Sequence, residues 1–383
     1  MNYAKARLLT GVTGVGFWTV ISTLLLLFPQ LLTSVLLSVT KLPQQLLAAA
    51  LFIGLWVLIM MPFDVVGGYW LPTKFKRSTQ PFSVFLVNWF SASVKQGIIL
   101  FLGLASLVLW TYQLGTLGYL MAFGVNSLVL VLAQPLLFQW IGGIKQSKRD
   151  ATPLLESPLV NLIVYEHEDV GATGGLSFGG SKPTLFLPKK WMEILKTEQL
   201  ALWVKRKAAI VASGLYPAGL GKALLFSGLG WLLCWWAIHP TGQAFSEHLM
   251  MIFSYTLWCF LGTLILPSLS KTAIFSADKQ VVTAENKADF IALKTQLDQW
   301  QDDEPSRSVW IERIFHPLAS VESRTLALAE GNYSDKSSSI GLFEGWNIAR
   351  TSLYLSWAGF SLLHRSVHCN VGRPQLWVLL PTE

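Results

Sequence analysis

The sequence has little charge and few cysteines. Only 13% of its 383 residues are Asp, Glu, Lys or Arg, whereas a soluble domain carries about 25%. Its three cysteines are scattered, which argues against a disulfide framework or a paired-cysteine metal site. No basic stripe interleaved with aromatic residues is present, so we expect no nucleic-acid partner. Hydrophobic residues instead make up 52% of the chain, which is typical of a membrane protein.

Long runs without charge predict the membrane spans. Five stretches contain no Asp, Glu, Lys or Arg: 8–40, 42–63, 96–144, 223–246 and 248–270. A spanning helix needs about 20 residues. The run 96–144 is therefore long enough for two helices, with a turn predicted at Gly115, Thr116 and Gly118. The sequence thus predicts about six transmembrane helices, which would contact the lipid bilayer directly.

The basic residues predict how the chain is oriented. Lys5 and Arg7 precede the first span, a cluster from Lys74 to Lys95 follows the second, and Lys145 follows the fourth. The opposite loops carry almost no basic residues. By the positive-inside rule, both termini and the soluble parts face the cytoplasm.

The remaining stretches predict a small soluble domain of mixed α and β structure. We expect strands at Leu159–Tyr165 and Thr184–Leu187 and a helix at Phe290–Trp300. A further helix is expected from His316 to about Leu328. The stretch Phe82–Phe90 is amphipathic and is expected to lie on the membrane surface.

The predicted organisation is discontinuous, because two spans divide the soluble domain. Four spans fill residues 1–145, and two more fill 217–270. The soluble parts are 146–216 and 271–340, followed by a tail at 341–383. The apolar part of the tail, Leu353–Leu363, is too short to span a bilayer, so we expect it to pack on the domain or at the membrane interface.

One predicted helix in the soluble part carries an unusual face. Thr197 is a plausible N-cap, and Gly214 can end the helix. Arg206 and Ile210 lie four residues apart and therefore share one face. Two later stretches accompany this helix in the sequence: Ile274-Phe-Ser-Ala-Asp278 and Phe315-His-Pro-Leu-Ala-Ser-Val-Glu-Ser-Arg324.

These blocks, in this order, resemble the membrane zinc metallopeptidases that include the heat-shock protease HtpX and the type I CAAX prenyl protease. The resemblance implies a zincin-like domain in a bacterial inner membrane. In that family a helix carries HExxH, and a later ExxAD block supplies a third zinc ligand. Here Arg206, Lys207 and Ile210 take the two His positions and the Glu between them, and Ile274 takes the third-ligand position. Asp278 and His316 are retained.

The replacements remove the family's chemistry. Zinc binds imidazole, thiolate or carboxylate groups, whereas a guanidinium has no lone pair to offer. Neither isoleucine has a donor atom, and Lys207 cannot act as a carboxylate base. We therefore expect no metal, no other cofactor and no peptidase activity. The hypothesis is an inactive homologue that acts as a scaffold or regulator for another membrane protein.

Three alternatives remain open. Lys205, Arg206 and Lys207 form either a solvated basic turn or a contact with anionic lipid or an acidic partner. A hydrolase could instead use Ser177 in the pattern Gly175-Leu-Ser-Phe-Gly179, or a metal held by His364 and His368. Asn126 and Gln134, polar residues at membrane depth, indicate either helix–helix hydrogen bonding or a transport pathway.

Overall fold

A computed structural model gives the architecture, which is a bundle of long helices beside a small mixed region. The structure describes residues 2–34, 39–147, 157–166, 174–177, 182–265, 271–300, 306–315, 319–330, 360–366 and 372. The helices, in chain order, are α1 (Tyr3–Leu27), α2 (Gln30–Ser34), α3 (Leu42–Val65), α4 (Leu71–Lys74), α5 (Phe82–Leu114), α6 (Gly118–Gly142), α7 (Lys189–Ile194), α8 (Thr197–Ala212), α9 (Leu215–Ile238), α10 (Phe245–Ile265), α11 (Lys271–Lys279), α12 (Lys287–Trp300), α13 (Val309–Phe315) and α14 (Val321–Glu330). The strands are β1 (Lys145–Gln146), β2 (Asn161–Glu166), β3 (Gly175–Ser177) and β4 (Thr184–Pro188).

Among the residues that the structure describes, five continuous helical stretches are long and apolar enough to cross a membrane: Tyr3–Leu27, Leu42–Lys74, Phe82–Gly142, Leu215–Ile238 and Phe245–Ile265. The third is 61 residues long and contains both α5 and α6, which are joined by a 3₁₀ turn at Gly115–Leu117. The predicted turn is therefore confirmed, and the six predicted spans correspond to α1, α3, α5, α6, α9 and α10. The chain is a helical membrane protein.

The predicted surface helix at Phe82–Phe90 is wrong, because these residues form the first turns of α5. The helix has 33 residues and is therefore about 50 Å long. The hydrocarbon core of a bilayer is only about 30 Å thick, so α5 extends well beyond it. Lys95 ends the charge-free run but does not end the helix. The prediction therefore divided one continuous helix into a surface stretch and a span.

The outer face of α3 shows how the bundle meets lipid. Leu47, Leu51, Leu55 and Leu58 repeat at helical spacing, and each exposes between 56% and 65% of its surface. A stripe of exposed leucines this long is unfavourable in water, because apolar surface is driven out of contact with it. Such a stripe suits contact with the acyl chains of a bilayer.

A small mixed sheet lies at one end of the bundle, in the strand order β1-β2-β4-β3. β2 and β4 are parallel, with Asn161 opposite Thr184, and the outer strands are antiparallel to their neighbours. Tyr165 and Phe186 of this sheet pack against Phe138 near the end of α6. Both predicted strands are confirmed, and the sheet is attached to the bundle through aromatic contacts.

The helices of the soluble part agree with the predictions except near His316. The helix predicted at Phe290–Trp300 is confirmed as α12. The helix predicted from His316 is wrong at its start, because α14 begins only at Val321. The Ser320 hydroxyl accepts a hydrogen bond from the backbone N–H of Ser323 at 3.3 Å, as a helix cap does. His316 itself lies outside the described residues.

The described part of the tail does not lie where the sequence placed it. Residues 360–366 are buried inside the helix bundle, and the Phe360 ring lies 4.8 Å from that of Trp231 on α9. Leu363 is completely buried in the same core. For the described residues 360–363, the expectation that they pack on the soluble domain or at the membrane interface is therefore wrong, because their apolar side chains complete the centre of the bundle; residues 353–359 lie outside the described residues.

The close contact between α9 and α10 generates a prediction about Gly230. A Cβ atom at this position would lie 2.0 Å from the Trp258 ring, so Gly230→Ala requires the indole to move. We expect this overpacking to cost about 1–3 kcal/mol and to lower the thermal unfolding midpoint in detergent. Gly228→Ala on the same helix is the control, because its added Cβ meets nothing nearer than 4.0 Å. Equal midpoints for the two variants would contradict the packing.

Candidate functional site

The helix α8 is held by its apolar face. Leu200, Trp203 and Val204 are buried in the core of the soluble part. At its start the Gln199 side-chain oxygen accepts a hydrogen bond from the backbone N–H of Lys196 at 3.2 Å, so Lys196, one residue before the predicted Thr197, is the cap. At its end Gly214, with a φ of 71°, turns the chain into α9. These contacts direct Arg206 and Ile210 into the interior.

Arg206 takes part in a buried cluster of charges that joins three helices. Its Nε donates a hydrogen bond to Asp278 Oδ1 on α11 at 2.6 Å. Arg324 on α14 donates from Nε to Asp278 Oδ2 at 2.7 Å and from Nη2 to Oδ1 at 2.6 Å. All three side chains are at most 3% exposed. We call Arg206, Asp278 and Arg324 the Asp278 cluster.

Two further positions in this region are apolar. Ile210 and Ile274 are 4% and 3% exposed, and each lies four residues from a cluster member, Arg206 or Asp278, on the same helix. Neither has an atom that can bind a metal. No group of three or more His, Cys, Asp or Glu residues suited to a metal occurs among the residues that the structure describes. The arrangement can hold a buried ion pair, but it lacks the donors of a zinc site.

The structure corrects the prediction for the basic turn. Lys205 is exposed, but Arg206 and Lys207 are 1% and 0% exposed. The Lys207 ammonium lies 5.4 Å from the centre of the Trp203 ring, in a cation–π contact. Neither Arg206 nor Lys207 lies where it could touch a lipid headgroup or a docked partner. Both readings of this turn, a solvated face and a lipid or partner contact, are therefore wrong for these two residues.

The residues of the alternative hydrolase sites are placed differently from what their chemistry needs. A nucleophile elbow puts serine at a turn between a strand and a helix. Ser177 is instead a buried strand residue that pairs with Thr184. His364 is buried inside the helix bundle, and His368 lies outside the described residues.

The polar residues of α6 include one clear helix–helix contact. The Asn126 side-chain amide donates to the Ser106 hydroxyl of α5 at 2.7 Å. This confirms the helix–helix interpretation for Asn126. Gln134 is also buried.

A cleft opens beside the Asp278 cluster. Its volume is about 310 Å³. Its walls come from α11, α14 and the turn before α12: Phe275, Asp278, Lys279, Val282, Thr283, Ala284, Lys287, Ala327 and Leu328. The Lys287 ammonium donates to the backbone oxygen of Leu328 at 3.3 Å, which holds one wall to another. The cleft is mainly apolar, with two lysines in its walls.

A second buried ion pair lies in the helix bundle and was not predicted. Arg365 Nε contacts Asp64 Oδ2 at 2.7 Å, and both side chains are completely buried. The sequence did carry a signal, because Asp64 is the only acidic residue before Asp150. A lone ionisable residue at the end of an apolar span is a functional-site hypothesis in its own right.

An exposed pair ties the sheet to the helix that leads into α8. Lys189 of α7 donates to Glu166 Oε1 of β2 at 2.6 Å. This hydrogen bond, together with the attraction between the two charges, lowers the pKa of Glu166. The pair therefore holds the end of β2 against α7. This short helix directly precedes α8, which carries Arg206 of the Asp278 cluster.

The Asp278 cluster predicts a large effect of removing its carboxylate. Asp278→Asn leaves two buried guanidinium groups without the charge that they share. Breaking a buried pair in this way costs about 3–5 kcal/mol, so we expect a much lower thermal unfolding midpoint in detergent. Glu285→Gln, at an exposed position just before α12, is the matched control and should change little. A variant at Asp278 as stable as the native chain would show that the cluster does not hold the three helices together.

The Glu166–Lys189 pair predicts a dependence on pH. The folded pKa of Glu166 lies below its value in the unfolded chain, which is about 4.3. The pair therefore stabilises the fold above that pH, and the contribution is lost as the pH falls through the folded pKa. Lys189→Met should lower the unfolding midpoint at about pH 7 and have no effect near pH 2. Lys190→Met is the control. If Lys189→Met lowered the unfolding midpoint equally at both pH values, the effect would not come from the Glu166–Lys189 pair.

Comparison with known proteins gives the chain no family. No protein-family model matches the sequence, and no curated protein matches it significantly. The geometry of the Asp278 cluster and of the Asp64–Arg365 pair is therefore the ground on which a function can be proposed.

Proposed function

We propose that the protein is a membrane metallopeptidase homologue that has lost catalysis and serves as a binding scaffold for another membrane protein. The observation that carries the proposal is the Asp278 cluster. Arg206 of α8 and Arg324 of α14 both donate to Asp278 of α11, and the contact between these three helices supports the proposal that the three blocks form one site. Arg206, which the resemblance aligns with the first zinc ligand, donates a hydrogen bond to Asp278, the retained acid of the second block, 72 residues later in the sequence.

The chemistry of the four replaced positions supports the loss of catalysis. Arg206 stands at the first-ligand position, and its guanidinium is held against Asp278. Ile210 and Ile274 fill the other two ligand positions with apolar volume. A divalent cation would meet the positive charge of Arg206 and no lone pair from these three side chains.

The ion pair also supplies the mechanical role that a metal would have in such a site. A zinc ion joins the helices that carry its ligands, and structural metal sites add directly to folding energy. In this chain Asp278 joins α11 to α8 and α14 through charge-assisted hydrogen bonds. The fold can therefore keep its arrangement without a metal, which suits a protein that binds without cleaving.

The placement of basic residues at one end of the bundle supports a cytoplasmic orientation of that end, which we propose together with a bacterial inner-membrane location. Arg7 Nη1 donates to the backbone oxygen of Gly67 at 2.8 Å, and the Arg77 guanidinium lies 5.6 Å from the Tyr3 ring. These contacts gather basic residues of α1 and of the chain after α4 at one end of the bundle. By the positive-inside rule, that end faces the cytoplasm.

Restoring the ligands tests the ancestry and the loss of catalysis together. The native chain should purify with no stoichiometric zinc and no chelator-sensitive peptidase activity. A variant with Arg206→His, Lys207→Glu, Ile210→His and Ile274→Glu should bind close to one zinc per chain, because the resemblance assigns these positions to the two His ligands, the base and the third ligand of one zinc site. Arg324 still pairs with Asp278 in this variant, which preserves one half of the cluster. Zinc is measured by elemental mass spectrometry on folded, monodisperse protein.

The matched control carries the same changes except Ile210→Ala, which removes one ligand and should bind zinc far more weakly. Zinc in the native chain, with chelator-sensitive cleavage of a peptide, would refute the loss of catalysis. If the variant with all four substitutions folds but holds no more zinc than its control, the zincin-like arrangement is refuted.

A further inference from the structure

The tail segment, which we define as residues 360–366 and 372, occupies the centre of the helix bundle. The Phe360 ring packs against Trp231 of α9, and the backbone N–H of Leu362 donates to the Thr256 hydroxyl of α10 at 3.2 Å. At its other end the Ser366 hydroxyl contacts the Met60 sulfur of α3 at 3.5 Å. The tail segment thus contacts helices from both halves of the membrane region.

The backbone of the tail segment forms turns inside the bundle. Non-helical backbone at membrane depth is tolerated only where it is buried in protein or lines a water-filled cavity, because lipid cannot satisfy its polar groups. The bundle therefore contains an internal space that is shaped and lined for a non-helical peptide. We call this space the bundle groove.

The bundle groove recognises an arginine. Asp64 Oδ2 accepts a hydrogen bond from Trp89 Nε1 at 2.9 Å and contacts Arg365 Nε at 2.7 Å. Arg365 Nη2 donates to the Ser93 hydroxyl at 2.6 Å. The guanidinium also lies 5.6 Å from the Trp56 ring and 5.4 Å from the Trp89 ring. A carboxylate, a hydroxyl and two aromatic faces around one planar cation are the usual partners of a buried guanidinium.

The groove also recognises the peptide backbone. The N–H of Gly372 donates to Asp64 Oδ1 at 3.1 Å. A Cβ atom on Gly68 would lie 2.2 Å from the Gly372 oxygen, so the two backbones touch directly. Gly68 belongs to a π-helical turn, Val66–Trp70, a distortion that is frequent at functional sites. The Asp64 carboxylate and the backbone of Gly68 therefore both contact Gly372 at this end of the groove.

A buried amide on the same face of α5 as Ser93 has no hydrogen-bond partner within the described part of the chain. Gln96 lies three residues after Ser93 on α5 and therefore on the same face. Its side chain is 3% exposed, yet neither its amide oxygen nor its amide nitrogen has a hydrogen-bond partner within the described part of the chain. A buried unsatisfied amide is costly, which indicates a site that a second ligand could satisfy more fully.

We propose that the bundle groove is a binding site for a non-helical peptide that carries an arginine, and that the tail segment is its resident ligand. The external ligand is an arginine-bearing segment of a partner membrane protein, which displaces the tail segment. Any non-helical peptide with an arginine carries the side chain and the backbone groups that the groove contacts. The tail segment holds its place partly because it is covalently tethered, which gives it a high effective concentration. The existence of a partner rests on the proposed scaffold function; the groove itself rests on the contacts of Asp64 and Arg365.

A cross-link in the full-length chain tests whether the tail segment is held by its arginine. In a Cys369→Ser background, Gly14→Cys and Ser366→Cys should form a disulfide, because a Cβ at Gly14 lies 3.1 Å from Ser366 Cβ and a small outward shift of the tail segment brings the two atoms to the roughly 3.5–4.5 Å of bonded cysteines. Gly16→Cys with Ser366→Cys is the matched control, since a Cβ at Gly16 meets nothing within 4 Å. Adding Arg365→Glu should reduce the cross-linked fraction at least fivefold, because two carboxylates would then face each other. No cross-link in the native background, or no change with Arg365→Glu, would overturn the proposal.

Peptide binding tests whether the vacated groove takes an external ligand. The full-length Arg365→Glu chain in detergent should bind a fluorescent peptide with the sequence of residues 360–372, whereas the disulfide-locked chain should not. The same peptide with citrulline in place of the arginine should bind at least about tenfold more weakly. The unmodified peptide should show a similar loss of affinity for a chain that carries both Arg365→Glu and Asp64→Asn. Equal binding of both peptides, or no binding to the released chain, would overturn the proposal. The zinc content of the restored variant does not depend on these outcomes, so the two proposals fail separately.

Discussion

Asp278 accepts hydrogen bonds from two buried guanidinium groups, and the arrangement of the soluble part depends on that shared carboxylate. Arg206 reaches it from α8 and Arg324 from α14, while Asp278 itself belongs to α11. A charge removed from water must be paired, so each helix is restrained by the other two. The ion pair can replace the structural role of a bound cation. It cannot replace the chemistry of one, because a guanidinium has no open coordination position and no lone pair.

The helix bundle uses the same physical device where it is more costly. Asp64 and Arg365 are completely buried among the membrane helices, and a charge at membrane depth persists only with a partner. Trp89 and the backbone of Gly372 also donate to Asp64, so the carboxylate is satisfied from two directions. The tail segment is consequently part of the bundle core. In a scaffold built in this way, the tail segment would compete with a partner for the same binding site.

The elements of the fold were largely predictable from the sequence, whereas their limits were not. Apolar runs predict the long helices because a span must be apolar over its whole length, and β2, β4 and α12 followed from local patterns. One error falls where one residue broke a pattern without breaking the element, as Lys95 does in α5. The start of α14 is an error of another kind, because the helix predicted from His316 begins only at Val321, after the Ser320 cap.

The sequence by itself determined that the chain is a membrane protein and that Arg206, Ile210 and Ile274 offer no metal ligand, because hydropathy and donor atoms belong to each residue alone. Only the tertiary structure decided which charges are buried and what they contact. Asp278 meets Arg206 and Arg324 across 72 and 46 residues, and Asp64 meets Gly372 across 308. A local pattern describes the faces of its own helix, but the burial of a charge depends on a partner that another segment must bring.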